Sequence, residues 1–231
     1  MRILHTADWH IGRQLNHISL IDDQKEILAD IIDVIKQEKV DVLIIAGDIY
    51  DKSIPSVEAV NLLDWTFSEI LLNLDVPIIA IAGNHDNGAR LSFASDILKN
   101  GKLFIVGGLK ENTSDKEKAT DKERVPKIVF EDKWGPVNFY PIPYMEPSIV
   151  KHLYGNDDIK NHNAAMEAVV RSIEIELNQR NVAIAHGFVI GTENEKPITC
   201  ESERTLTVGN VESVSYGYFK DFSYTALGHL H

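Results

Sequence analysis

"DVLIIAGDIYD" at residues 41–51 sets an unbroken apolar run, Val42 to Ala46, directly before a glycine and two aspartates. A run that short and continuous reads as a strand buried on both faces, the kind found in a parallel sheet covered by helices. "PIIAIAGNHD" at 77–86 repeats the pattern, with a proline where a strand tolerates one and Asn84, His85 and Asp86 after the glycine.

Working outward, "RILHTA" (2–7) reads as a further strand. Residues 19–38 carry Ile27, Leu28, Ile31, Val34 and Ile35 at helical spacing, and 56–72 form a second helix with Pro55 near its first turn. Strand and amphipathic helix therefore alternate, which indicates βαβ units and an α/β fold. The pattern then changes. Residues 111–124 hold five acidic and four basic side chains and no large apolar group, which reads as a solvated loop. VPKIVF (125–130) and PVNFYPI (136–142) flank EDKWG as a hairpin, a helix is predicted over 162–179, and VAIA (182–185) and YTAL (224–227) are short strands.

Composition narrows the class. The 231 residues are 44% apolar, enough to fill a core, and no repeat or long linker divides them, so one domain is expected. Cys200 is the only cysteine, so no internal disulfide forms, and its expected role is apolar packing. Asp8 interrupts the N-terminal stretch where a signal peptide needs apolar residues, and no run approaches a membrane span, so a cytoplasmic location is expected. The net charge, 23 − 35 = −12, is a poor field for attracting a polyanion unless bound cations reverse it locally.

The strand ends carry the chemistry. They read ADWH (Asp8, His10), GDIYD (Asp48, Asp51), GNHD (Asn84, His85, Asp86), HG (His186) and GHLH (His229, His231). In a parallel sheet the carboxyl ends share one edge, so residues distant in sequence meet there. Aspartate oxygen, neutral imidazole and an asparagine carbonyl suit hard or borderline divalent ions. Two such ions about 3.5–4 Å apart can clamp a phosphate and lower the pKa of a water, with Asp48 the candidate bridge. Taken singly each piece has a plainer reading: Asp8 as a helix cap, GD and GN as turns, His186 as a satisfied buried histidine, GHLH as a tail. Those readings do not account for all five tips being metal-competent in this order.

These motifs, D-x-H, GD, GNH[DE], H and GHxH, resemble those of the calcineurin-like metallophosphoesterase superfamily. LHTADWHIGRQL, DVLIIAGDIYDKSIPSVEAV, IAGNHDNGARLSFAS, CESER and YTALGHLH are similar to its SbcD nuclease family. The resemblance implies two packed mixed β-sheets flanked by helices, a four-layer αββα sandwich. It implies Asp8, His10, Asp48 and His231 at one ion and Asp48, Asn84, His186 and His229 at the other, with His85 catalytic and Asp51 orienting it. For Asp86, helix capping is at least as good a reading as a functional one, and Arg90 is read as a structural ion pair in preference to a phosphate contact.

The same resemblance implies manganese, 3′–5′ exonuclease activity on duplex DNA and endonuclease activity on single strands and hairpins, in DNA repair and recombination. A homodimer bound to an SbcC-type ATPase is expected. Members of that family continue beyond GHxH into capping and ATPase-docking regions, which are expected to be missing from residues 1–231. Two rival readings remain: a phosphoesterase for small nucleotides, and a non-catalytic scaffold of the same fold.

Overall fold

Val42–Ala46 is a strand in which every residue is buried, and the chain alternates around it as its composition predicts. The computed structural model describes residues 1–110, 124–191 and 213–230, which fall into two compact units, Met1–Gly107 and Gly108–His231.

The first unit runs β1 (Ile3–Thr6), a small hairpin of β2 (Gln14–Leu15) and β3 (Ile18–Ser19), α1 (Ile21–Glu38), β4 (Val42–Ala46), α2 (Val57–Ser68), β5 (Ile78–Ile81), the single turns α3 (Gly88–Leu91) and α4 (Ser95–Leu98), and β6 (Leu103–Val106). Its sheet has the order β1-β4-β5-β6 and is parallel throughout. The fully buried β4 and β5 are the two inner strands, which is why they have no polar face. Leu28, Ile35, Leu62, Leu63 and Phe67 from α1 and α2 pack with Leu43, Ile45 and Ile78. Truncating any of these isoleucines to alanine is expected to cost about 2–5 kcal/mol.

Two sequence expectations shift here. The stripe of α1 is rolled: Ile27 is 60% and Val34 42% exposed, while Leu28 and Ile35 are buried. Leu28, Ile31, Ile32 and Ile35 form the inner line, and 27 and 34 lie on its flank. α2 starts one residue later than expected, because the Ser56 side chain accepts the Ala59 N–H and makes Ser56 the cap, with Pro55 just before it.

The second unit contains β7 (Ile128–Asp132), β8 (Gly135–Ile142), α5 (Pro147–Tyr154), α6 (His162–Ser172), β9 (Arg180–His186), β10 (Val189–Ile190), β11 (Val214–Ser215) and β12 (Tyr224–Gly228). β7 and β8 form the expected hairpin, turning at Lys133 and Trp134. The sheet order is β12-β9-β8-β7, mixed because β7 is antiparallel to β8 while β12, β9 and β8 are parallel. The fold class is α/β, with one parallel and one mixed sheet flanked by helices.

The helix expected over 162–179 ends at Ser172, and Leu177 is 77% exposed. Side-chain hydrogen bonds, one long-range and two local, take over the backbone beyond that point. Tyr140 Oη donates to the Glu174 carbonyl, and Asn181 Nδ2 donates to the carbonyls of Glu176 and Gln179. Arg124, which the sequence places at the end of a solvated run, is buried instead. Its guanidinium donates to the carbonyls of Lys110 and Leu153 and stacks over Tyr154. Residues 111–123, Cys200 and the CESER stretch lie outside the described residues. Among the described residues no helix is long and apolar enough to cross a membrane.

Candidate metal centre

The pairing of β1 with β4 continues past the strands into the loops that follow. Asp8 N donates to Gly47 O at 3.0 Å, His10 N to Asp48 O at 2.9 Å and Ile11 N to Ile49 O at 2.9 Å. The D-x-H and GD motifs are thereby laid side by side. Asp8, His10 and Asp48 have φ of 57°, 44° and 50°. This left-handed backbone costs roughly 1–2 kcal/mol per non-glycine residue, and such strain clusters at functional sites. Gln24 of α1 holds the first loop in place: its Nε2 donates to the Trp9 and His10 carbonyls at 3.1 and 2.7 Å, and its Oε1 accepts the Gly12 N–H at 2.9 Å. Spacing does not reveal that role, because nothing in an isolated glutamine marks it as a loop clamp.

The folded loops bring Asp8, His10 and Asp48 together, with one donor atom from each lying within 4.8 Å of the others. His10 is 4% and Asp48 2% exposed, and His10 Nε2 lies 3.7 Å from Asp48 Oδ2. A second trio, His10, Asp51 and His85, meets the same distance limit. Gly83 is required by its surroundings: a Cβ there would lie 2.2 Å from Asp48 Oδ1 and 2.3 Å from Asp48 N.

His85 is exposed but well anchored. Its backbone N–H donates to Asp48 Oδ1 at 2.8 Å, its ring stands edge-on to His10 with centroids 4.7 Å apart, and its Nδ1 is 2.9 Å from the Asp51 carbonyl oxygen. A carbonyl only accepts, so Nδ1 carries the proton in this contact. Asp51 thus holds His85 through its main chain, while its carboxylate Oδ1 sits 3.7 Å from His10 Nδ1. Asn84, beside His85, is also exposed.

Asp86 does not cap a helix. Its carboxylate accepts the N–H groups of Ile49, Tyr50 and Gly83 at 3.0, 2.9 and 2.9 Å, bracing the GD loop against the GNHD loop. Burial pushes its carboxyl above the usual range, against the lowering effect of those three N–H groups. The cap of α3 is Asn87, whose Oδ1 accepts the Arg90 N–H at 3.0 Å. Arg90 itself is exposed.

In the second unit β12 pairs parallel with β9, setting Gly228 opposite His186. His186 is 1% exposed, and its ring meets that of His229 edge-on at 5.1 Å. His229 has φ of 100°, another left-handed residue at a strand tip. The Tyr144 ring stands edge-on to His186 at 6.3 Å, and its hydroxyl reaches His162 Nε2 at 3.1 Å and Glu146 Oε1 at 3.3 Å. No motif in the sequence marks Tyr144 or His162. His231 lies outside the described residues.

A divalent cation fits this donor set. Carboxylate oxygens and imidazole nitrogens converge, with no soft thiolate in either trio, and Asp48 is a carboxylate held almost entirely away from water. The family description "calcineurin-like phosphoesterase" matches residues 1–186. The chain belongs to the calcineurin-like phosphoesterases, a family of hydrolases that depend on two metal ions.

Proposed function

We propose that this chain is a DNA nuclease of the SbcD type, hydrolysing phosphodiesters with two divalent ions, manganese the working choice. The observation that carries the reading is His85, its ring fixed by the Asp51 carbonyl beside the Asp8, His10 and Asp48 trio. The SbcD-like stretches, IYDKSIPS and NGARLSFAS among them, favour DNA over other phosphoesters.

In this proposal Asp8, His10, Asp48 and His231 hold one ion, and Asp48, Asn84, His186 and His229 hold the other, as the family pattern implies. When bound, the ions polarise the phosphate and acidify a water. The chain's own residues do the rest. Asp86 and Gln24 hold the loops at fixed spacing, so that Asp48 and His10 keep their positions. His85, with its proton on Nδ1 committed to Asp51, offers Nε2 to the leaving 3′ oxygen; protonated there, it donates as the P–O bond breaks. The net charge of −12 makes cation loading a condition for approach of DNA. A homodimer and an SbcC-type ATPase partner, acting in DNA repair and recombination, complete the proposal.

The test is turnover of end-labelled duplex, hairpin and single-stranded DNA with Mn2+, set against EDTA. A 2′,3′-cyclic nucleotide and a nucleotide monoester serve as rival substrates. Metal-dependent cleavage of DNA supports the reading. Turnover of the small nucleotides alone overturns it in favour of a small-substrate enzyme, and no metal binding on titration returns it to a scaffold.

A further inference from the structure

We infer that a cavity beside the candidate centre receives an unpaired base of the strand being cut; the inference rests on the nuclease reading above. The cavity has a volume of about 540 Å³, within the range of roughly 300–1,000 Å³ typical of small-ligand sites. It lies wholly in the first unit, between the β2–β3 hairpin and the segment that leads into α2. Asp51 lines it, and the Asp51 carboxylate also lies within 4.8 Å of a ring nitrogen of His85. Whatever fills the cavity therefore sits one side chain away from the group assigned to the leaving oxygen.

The lining selects the chemical class. Ile11, Ile21, Ile54 and Pro55 supply apolar wall, and Ile54 is 69% exposed, a large aliphatic side chain left in water. A flat base covers such a surface, whereas a sugar or phosphate does not. The charged groups are the carboxylates of Asp51 and Glu58 against the single cation Lys52, so a phosphate meets net repulsion. A neutral base is admitted, and the exocyclic amine of adenine, cytosine or guanine finds carboxylate and Gln14 acceptors. Only a base out of its stack can enter, and unstacking costs least in single strands and frayed ends. The cavity therefore favours unpaired DNA and, among bases, those with an amine over thymine.

The experiment uses the full chain with Mn2+ and three substrates. One is a short single strand with adenine at the residue cut, one is the same strand abasic there, and one is the baseless bis(4-nitrophenyl) phosphate. The variant is Ser19→Trp, which fills the cavity from an exposed position on β3. In the wild type, removing the base is expected to lower kcat/KM by about tenfold or more, the scale on which a pocket discriminates a missing group. Ser19→Trp should lower turnover of the adenine strand by a similar factor, erase the difference from the abasic strand, and leave Mn2+ affinity by calorimetry unchanged. Equal turnover of adenine and abasic strands by the wild type overturns the cavity and leaves the nuclease reading standing; this arm needs no variant. Turnover of bis(4-nitrophenyl) phosphate with none of either strand takes down the nuclease reading and the cavity with it.

Discussion

Gly83→Ala adds one methyl group where the structure has no room for it. The new Cβ would lie 2.2 Å from Asp48 Oδ1, 2.3 Å from Asp48 N and 2.8 Å from Asp48 Cγ. Reaching even a tight non-bonded separation requires a displacement of about 1 Å. Two of the clashing atoms belong to the carboxylate that accepts the His85 N–H at 2.8 Å and faces His10 Nε2 at 3.7 Å, so the shift moves the site itself. Overpacking of this kind is expected to cost about 1–3 kcal/mol of stability. Misplacing a catalytic group by about 1 Å costs on the order of a hundredfold in rate. Urea unfolding measures the first effect; kcat/KM on bis(4-nitrophenyl) phosphate, with Mn2+ affinity by calorimetry, measures the second. Gly101→Ala is the control, because a Cβ there meets nothing within 4 Å. If folded Gly83→Ala keeps wild-type turnover and metal affinity, then Asp48 is not the tightly confined centre of the site, and the reasoning fails.

His85→Ala should abolish turnover while leaving metal content nearly unchanged on elemental analysis; loss of bound metal as well would show that His85 coordinates. Asp86→Ala leaves the N–H groups of Ile49, Tyr50 and Gly83 without their acceptor and should lower stability by on the order of 3 kcal/mol in urea. A change below about 1 kcal/mol would mean that the brace is dispensable. Arg180 grips Asp132 with two hydrogen bonds of 2.9 and 2.7 Å, and that guanidinium holds the Asp132 carboxyl well below the usual carboxylate range. Its contribution is therefore fully present above the unfolded-state value of about 3.9 and is lost as pH falls from there through the folded value. Taking the pH from 7 to 3 should lower the urea midpoint of the wild type by more than that of Asp132→Asn, which has no carboxyl to protonate; an equal drop in the two proteins would refute the assignment.

The strand tips are legible in the order of the residues alone. Continuous apolar runs at 42–46 and 77–82 can only be buried on two faces, and β4 and β5 are buried throughout. Local pattern also marks α1, the β7–β8 hairpin, β9 and β12, because each is set by short-range periodicity and turn chemistry. Strand β6 and helix α5 are not among the elements expected above because they are short, four and eight residues, although LFIV is a continuous apolar run and α5 opens at Pro147 and closes at Gly155.

Residue identity and order along the chain determined which chemical groups exist and that strand ends carry them. Only the tertiary structure decided how those groups are held: the left-handed turns at Asp8, His10 and Asp48, the Asp51 carbonyl on His85, the Asp86 brace, and the end of α6 at Ser172. The physical reason is range. Periodicity and capping act within a few residues, whereas these features depend on hydrogen bonds between segments tens of residues apart, whose partners exist only once the sheets have formed.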